Sequence, residues 1–403
     1  MAELLKFEDF SYRGKTVGLR VDLNLPYDPK TKTISETPRL IDHAKTIKHL
    51  SESGAKVILL AHQGRKGDED FISLEDHANL LEKHLSQPVR FIKLDSDFSG
   101  IRELKEGEVA LLDNVRSFDD ETKELSSEEH AKSALPSKLA PLLDCFILDA
   151  FSVAHRAHAS VVGFSTLIPS IAGPVFYKEY EFLERFLREI QFSKNDVVVL
   201  GGAKPTEPIN LINRLYGKGI ETVLTTGVIS LLILMSRGYK LGKSEEFLKE
   251  KKYLDYLKDI APFAKEESIL YPVDVAVERN GKRAEIEIKD LPVEEPILDI
   301  GSKTIALYSK IISEANVVCM KGPAGTYERA GFEEGTKKLF EAIADSECIS
   351  LIGGGNSIDC LEKLKIDPAA FTYISLSGGA FVEFLSGTEL PGIAALKESC
   401  RKF

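Results

Sequence analysis

The chain has 403 residues, more than one hydrophobic core usually serves, so two domains of about 150 to 200 residues each are expected. A formal net charge of −11 excludes a surface built for nucleic acid, and the apolar stretches fall well short of the roughly 18 residues that a spanning helix needs. The first residues carry no basic segment followed by an apolar one, and the five cysteines are odd in number without a CxxC, so reduced thiols in a cytoplasmic protein are expected, with neither a disulfide framework nor a zinc site.

In chain order, an apolar run at 16–23 reads as a strand and contains Arg20-Val-Asp22-Leu-Asn24 near its end. A helix pattern over 38–53 follows, with Arg39 beside Pro38 at its start, where backbone N–H groups already favour an anion. The strand 56–61 leads into His62-Gln-Gly-Arg65, the helix 74–85 follows, and the strand 109–112 leads into Asn114-Val-Arg116. Residues 127–143 read as a helix, and the strand 145–149 precedes His155-Arg156-Ala-His158. Prolines and a glycine interrupt the pattern over 167–174, and helical spacing then places apolar residues at 180, 182, 183, 186, 187 and 190. This helix could join two halves.

The second half repeats the alternation with glycine at its strand ends. The strand 197–200 runs into Gly201-Gly202-Ala203-Lys204, 316–320 precedes Gly322-Pro323-Ala-Gly325, 348–352 leads to Gly353-Gly354-Gly355-Asn356-Ser357, and 372–376 to Ser377-Gly-Gly379. A short strand at 222–224, helices at 332–344 and 357–364, and a hairpin within 271–296 turning at Asn280-Gly281 complete the pattern. Continuous apolar runs are what a parallel sheet covered on both faces demands, so the class is α/β with doubly wound parallel sheets.

In such sheets ligands bind beyond the carboxyl ends of the strands. Taken singly, Arg20, Arg65, Arg116 and Arg156 read as surface ion-pair partners; four of them just at or beyond separate strand ends read as an anion site, since a guanidinium binds phosphate or carboxylate oxygens in pairs. Asp22 and Asn24 could meet substrate hydroxyls or merely form a turn before Pro26. His62, His155 and His158 lack metal-ligand company, so anion contacts are the expectation, with a buried structural histidine the alternative for one of them. The glycine turns let backbone approach a polyphosphate at helix N-termini, although no P-loop, dinucleotide-binding or protein-kinase signature is present.

Taken together, Arg20-Val-Asp-Leu-Asn-Leu-Pro26, Ala61-His-Gln-Gly-Arg65, Leu112-Asp-Asn-Val-Arg116, Asp149-Ala-Phe-Ser-Val-Ala-His-Arg-Ala-His-Ala-Ser160, Gly201-Gly-Ala-Lys204, Gly322-Pro-Ala-Gly-Thr-Tyr-Glu328, Gly353-Gly-Gly-Asn356 and Glu389-Leu-Pro-Gly392 resemble the phosphoglycerate kinase family. His-Gln-Gly-Arg in place of the more usual His-Leu-Gly-Arg suggests its archaeal branch. The resemblance implies two Rossmann-like lobes joined by a hinge helix: a 3-phosphoglycerate-binding domain over 1–172, a nucleotide-binding domain over 173–385, and a tail at 386–403 packed back on the first. It implies phosphoryl transfer between 1,3-bisphosphoglycerate and Mg-ADP, giving 3-phosphoglycerate and Mg-ATP, in a monomer or homodimer without nucleic-acid or membrane partners. Mg2+ would come bound with the nucleotide, with no metal site of the protein's own.

By match of motif, Asp22, Asn24, Arg39, His62, Arg65, Arg116 and Arg156 would hold the glycerate substrate, with Arg39 reaching the group in flight. Lys204 would steady the nucleotide phosphates and the moving phosphoryl, and Glu328 the ribose. Gly202, Ala203, Gly322, Pro323 and the loop Gly354-Gly355-Asn356-Ser357 would complete the nucleotide site. Arg39 from one lobe and Lys204 from the other would meet on closure. The chain departs from the family pattern where Pro205, Glu207 and Pro208 follow Lys204 in place of a stretch carrying a second lysine, where Asn356 replaces an aspartate, and where Lys321 replaces an asparagine before Gly-Pro. These departures leave two competing readings, a non-catalytic sensor of a phospho-acid or nucleotide and a kinase for another carboxylic acid; turnover with 3-phosphoglycerate and Mg-ATP decides the kinase reading, ligand binding without product formation marks the sensor, and a panel of acids marks the other kinase.

Overall fold

Runs of buried, largely apolar residues form the strands of two parallel sheets, each in its own unit. The computed structural model describes residues 4–94, 98–190, 193–215, 221–354 and 357–403. By its contacts the chain divides into one unit of Met1–Arg185 with Glu389–Phe403 and another of Phe186–Thr388. The division falls inside the helix Pro174–Glu189, which buries Phe176, Leu183 and Phe186 along one stripe.

In the first unit, β1 (Thr16–Arg20), β4 (Lys56–Leu60), β5 (Val89–Ile92), β6 (Val109–Leu112), β7 (Cys145–Leu148) and β8 (Ser170–Ala172) form one sheet in the order β5-β6-β4-β1-β7-β8. The small pair β2 (Tyr27–Asp28) and β3 (Thr33–Ile34) lies apart from it. Every pairing in the large sheet is parallel, and Arg20 stands level with Leu60 and Leu148, so the carboxyl ends of β1, β4, β6 and β7 share one edge. The strand expected at 16–23 ends at Arg20, where the chain turns out of the sheet.

The helix Pro38–Glu52 places proline at its first position, where no N–H is needed, and buries Leu40, Ala44, Ile47 and Leu50. The single helix expected at 127–143 is instead Ser127–His130, Ala134–Leu139 and a 3-10 turn Ala140–Leu142. Pro136 and Pro141 explain the breaks, since each lacks the donor that a continuous helix would require and sits in the first turn of a new segment. The helix Pro391–Lys402 belongs to this unit. It buries Ile393 and Leu396, its Gly392 N–H donates to the Ala154 carbonyl at 2.8 Å, and Ser399 Oγ accepts from the Ser170 N–H at 2.8 Å.

The second unit is built on β9 (Val197–Leu200), β10 (Thr222–Thr225), β11 (Ile269–Leu270), β15 (Val317–Lys321), β16 (Ile349–Gly353) and β17 (Tyr373–Ser375), in the order β11-β10-β9-β15-β16-β17 and again parallel throughout. A separate antiparallel sheet holds β12 (Asp274–Arg279), β13 (Lys282–Glu287) and β14 (Ile297–Ile300). The expected hairpin is β12–β13, with Asn280 and Gly281 at φ 54° and 72°, as a tight two-residue turn requires. Among the described residues no helix is long and apolar enough to cross a membrane.

Because the C-terminal helix seals the first unit's core, Leu396→Ala should lower its stability by about 2–5 kcal/mol, whereas Arg401→Ala at an exposed position should change it by less than about 0.5 kcal/mol. Urea unfolding of the two variants checks this, and equal midpoints would contradict it.

Candidate functional site

The edge where β1, β4, β6 and β7 end concentrates cationic side chains around a buried guanidinium. Arg20 is 1% exposed. Its Nε donates to Ser160 Oγ at 3.0 Å, one terminal nitrogen donates to the Val21 carbonyl at 2.5 Å, and the other lies 2.9 Å from His62 Nδ1. Ser160 in turn donates from Oγ and backbone N to the Glu121 carboxyl at 2.6 and 2.9 Å. Burial pushes the Glu121 carboxyl up to about 7, against the pull of Ser160 and Arg20. Arg20 is therefore a fixed interior charge that sets the position of His62, rather than a residue offered to solvent.

Around that charge, Arg116 N–H donates to the Gly64 carbonyl at 2.6 Å, while Arg65 and Arg156 stand exposed. The guanidinium of Arg116 is lowered to about 10, chiefly by burial and then by Arg20, with Arg65 and Arg156 adding to the push. Burial and then Arg20 and Arg116 hold His62 well below the ordinary histidine range, and burial with Arg116, Arg20 and Arg156 takes His158 down to about 3. A region where arginines discourage further positive charge attracts an anion.

Asp22 and Asn24 have roles within the protein. Asn24 Oδ1 accepts from the Gly64 N–H at 2.9 Å, fixing the His62–Arg65 turn, and the Asn24 N–H donates to Asp22 Oδ1 at 3.0 Å. Asp22 is 3% exposed, accepts from Ser152 Oγ at 2.5 Å and forms an ion pair with Arg39. Burial alone would raise its carboxyl, but Arg39, His62 and Ser152 outweigh it and hold the group well below the usual range. Arg39 thus sits over Asp22 at the start of the helix Pro38–Glu52, half-buried. Gln63 links the same loops, its amide exchanging bonds with the Leu25 backbone at 2.8 and 3.0 Å.

The second unit carries a cavity of about 630 Å³. Gly202, Ala203, Lys204, Gly322, Pro323, Glu328 and Gly354 line it, with the apolar side chains of Val228, Leu231, Phe247, Pro272 and Leu298 and with Gly378 and Gly379 from the start of the helix Gly378–Leu385. Ser357 opens the helix Ser357–Leu364, whereas Gly355 and Asn356 lie outside the described residues. Among the described residues no three His, Cys, Asp or Glu side chains gather to hold a metal ion.

The glycine turns are packed against one another more tightly than any side chain permits. A Cβ on Gly201 would lie 2.3 Å from the Pro323 carbonyl oxygen, and Gly322, at φ 77°, has the Gly201 carbonyl 2.8 Å from its own Cβ position. Their N–H groups are spent on each other: Gly201 donates to Lys321, Gly202 to Pro323, and Gly322 to Gly353. Gly227 and Val228 likewise donate to Ala324 and Gly202. Glycine at these positions lets the strand-end loops interlock.

Glu121, Ser152, Leu231 and Phe247 were not anticipated. Ser152 lay inside a quoted motif, but a buried glutamate among arginines and an apolar slot assembled from distant helices leave no local pattern in the sequence.

The phosphoglycerate kinase family pattern matches residues 7–388. The phosphoglycerate kinase of Methanothermobacter thermautotrophicus is 41% identical over 400 residues, covering 97% of this chain and 96% of its own length, and that of Pyrococcus horikoshii is 39% identical, covering 99% of each. The crystal structure of phosphoglycerate kinase from Pyrococcus horikoshii OT3 matches 99% of this chain and 100% of its own at TM-score 0.90 and 38% identity. The structure of phosphoglycerate kinase from Coxiella burnetii matches at TM-score 0.76 and 33% identity, over 98% and 99%.

A base held neutral in the folded state binds fewer protons than in the unfolded chain, so His158 and His62 contribute stability that is lost as pH falls below 6.5, in the case of His158 towards about 3. NMR titration should find the His158 ring neutral at pH 5 in the free protein, and added inorganic phosphate should raise its titration midpoint. A ring titrating near 6.5 with or without phosphate would contradict the cationic patch.

Proposed function

Since the chain belongs to the phosphoglycerate kinase family, on its archaeal-like branch, and is an enzyme that moves a phosphoryl group between 1,3-bisphosphoglycerate and ADP in glycolysis or gluconeogenesis, we propose that its first unit holds the phosphorylated acid and its second the nucleotide. The observation that carries this division is the placement of buried Arg20 with His62, half-buried Arg116 and exposed Arg65 and Arg156 just at or beyond the parallel strand ends of one sheet. Three exposed or half-exposed guanidiniums can each meet phosphate oxygens in pairs, and the neutral His62 and His158 can donate or accept without adding charge. Asp22 and Asn24 hold Arg39 and the His62–Arg65 turn in place, with the outer face of Asn24 exposed to a substrate hydroxyl.

In the forward direction an oxygen of the ADP β-phosphate attacks the acyl phosphorus, the bond to the carboxyl oxygen breaks, and the carboxylate of 3-phosphoglycerate leaves; no proton moves. The transferring group carries its charge on three equatorial oxygens, so positioning and neutralisation are the protein's tasks. Within the first unit Arg39 is assigned to the acid, and within the second Lys204 is assigned to the nucleotide's phosphates. The nucleotide's base would occupy the apolar slot of Val228, Leu231 and Leu298, its ribose would meet Glu328, and its phosphates the end lined by Gly202, Lys204 and Gly354. Mg2+ would enter as part of the substrate Mg-ATP or Mg-ADP.

In a coupled assay with 3-phosphoglycerate and Mg-ATP, Arg39→Met should reduce kcat by about 10²–10³. Arg65→Ala should instead raise KM for 3-phosphoglycerate about tenfold or more while leaving KM for Mg-ATP unchanged. Thermal melts verify that both variants fold. Full kcat in Arg39→Met, or a rise in the nucleotide's KM with Arg65→Ala, would overturn these roles.

A further inference from the structure

We propose that Lys321 is a phosphate-binding residue of the nucleotide site and supplies the second ammonium that the segment after Lys204 does not provide. This inference rests on placing the nucleotide in the second unit's cavity. Three observations converge on it, each concerning this chain's own residues.

The first is the loss of charge and donors after Lys204. Pro205 precedes the helix Thr206–Leu215, and Pro208 stands in its first turn. Neither has an N–H, so the turn that ordinarily presents donors to an anion is depleted of them, and no lysine occurs between Lys204 and the helix end at Leu215. The second is that part of the glycine wall's donor capacity is already used. The N–H groups of Gly201, Gly202, Gly227, Val228 and Gly322 are donated to neighbouring carbonyls.

The third is the position of Lys321. It is the last residue of β15, level with Leu200 at the end of β9 and with Gly353 at the end of β16. Its side chain is 8% exposed and lines the same cavity as Lys204. A Cβ built on Gly202 would lie 4.0 Å from Lys321 Nζ, so the ammonium rests against the glycine turn itself. Gly202, with φ 88°, leaves the space that a side chain would otherwise occupy in front of that ammonium. Two lysines thus line the cavity, Lys204 from the loop above β9 and Lys321 from the neighbouring central strand. An ammonium with three donors on a flexible stem suits a phosphate chain whose oxygens shift as the terminal group comes and goes.

Calorimetry with adenosine, Mg-ADP and Mg-ATP on the whole chain tests this. Lys321→Met should bind adenosine as the unaltered protein does and lose about tenfold or more for Mg-ADP and Mg-ATP, while Lys321→Arg keeps most of that affinity. In turnover, Lys321→Met should raise KM for Mg-ATP and leave KM for 3-phosphoglycerate unchanged. If thermal melts show that Lys321→Met is unfolded, Lys321→Gln replaces it in the same comparison. Unchanged Mg-ADP and Mg-ATP affinity in the neutral variant would overturn the proposal, as would an equal loss for adenosine. If the unaltered protein itself bound Mg-ADP no more tightly than adenosine, the placement of phosphates at this end of the cavity would fail before Lys321 came into question.

Discussion

A guanidinium buried at the end of a central strand governs the first unit's chemistry. Arg20 cannot move: a serine, a backbone carbonyl and a histidine occupy its donors, and Glu121 stands behind the serine. A fixed interior charge of this kind raises the potential of the sheet edge at which it lies, and low-dielectric surroundings make that potential reach further than an exposed charge would. Arg65, Arg116 and Arg156 then add to a field that is already positive, and burial together with Arg20 and Arg116 keeps His62 and His158 neutral. In the proposed assignment a phosphorylated acid would balance this charge.

The second unit solves a related problem by different means. Its strand ends come so close together that their loops exchange N–H bonds and tolerate only glycine at the crossing points. Several of the wall's N–H groups are used within it. The lysines at 204 and 321 line the same cavity and can bring charge to it. In the proposed assignment arginine serves the acid's side and lysine the nucleotide's. This division suits a small rigid anion held by paired oxygens in one case and a flexible phosphate chain in the other.

Much of the fold was legible in the sequence because buried parallel strands are written as unbroken apolar runs. The central strands β1, β4, β6, β7, β9, β15 and β16 each overlap an expected run. Of the edge strands β17 was read, whereas β5, β8 and β11 were missed: β8 and β11 are very short, and the mixed burial of Val89–Ile92 leaves too little pattern. The break of 127–143 into pieces was written in Pro136 and Pro141, whose lack of an N–H overrode the helical spacing around them. At the site, arginines at strand ends could be read because topology alone gathers parallel strand ends on one edge. What could not be read was which of those groups face inward: Arg20 looks in sequence like Arg65, and only packing makes one a support and the other a contact. The glycine clusters were visible as clusters, but their mutual hydrogen bonds depend on strand order, which places β9 beside β15 across more than a hundred residues of chain.

The most direct test is a crystal structure with 3-phosphoglycerate and a non-hydrolysable ATP analogue bound. The account predicts the acid's phosphate on Arg65, Arg116 and Arg156 beside His62, and the analogue's base in the slot of Val228 and Leu231 with its phosphates against Lys204. An acid seated away from those arginines, or a nucleotide whose phosphates turn from the glycine loops, would contradict it.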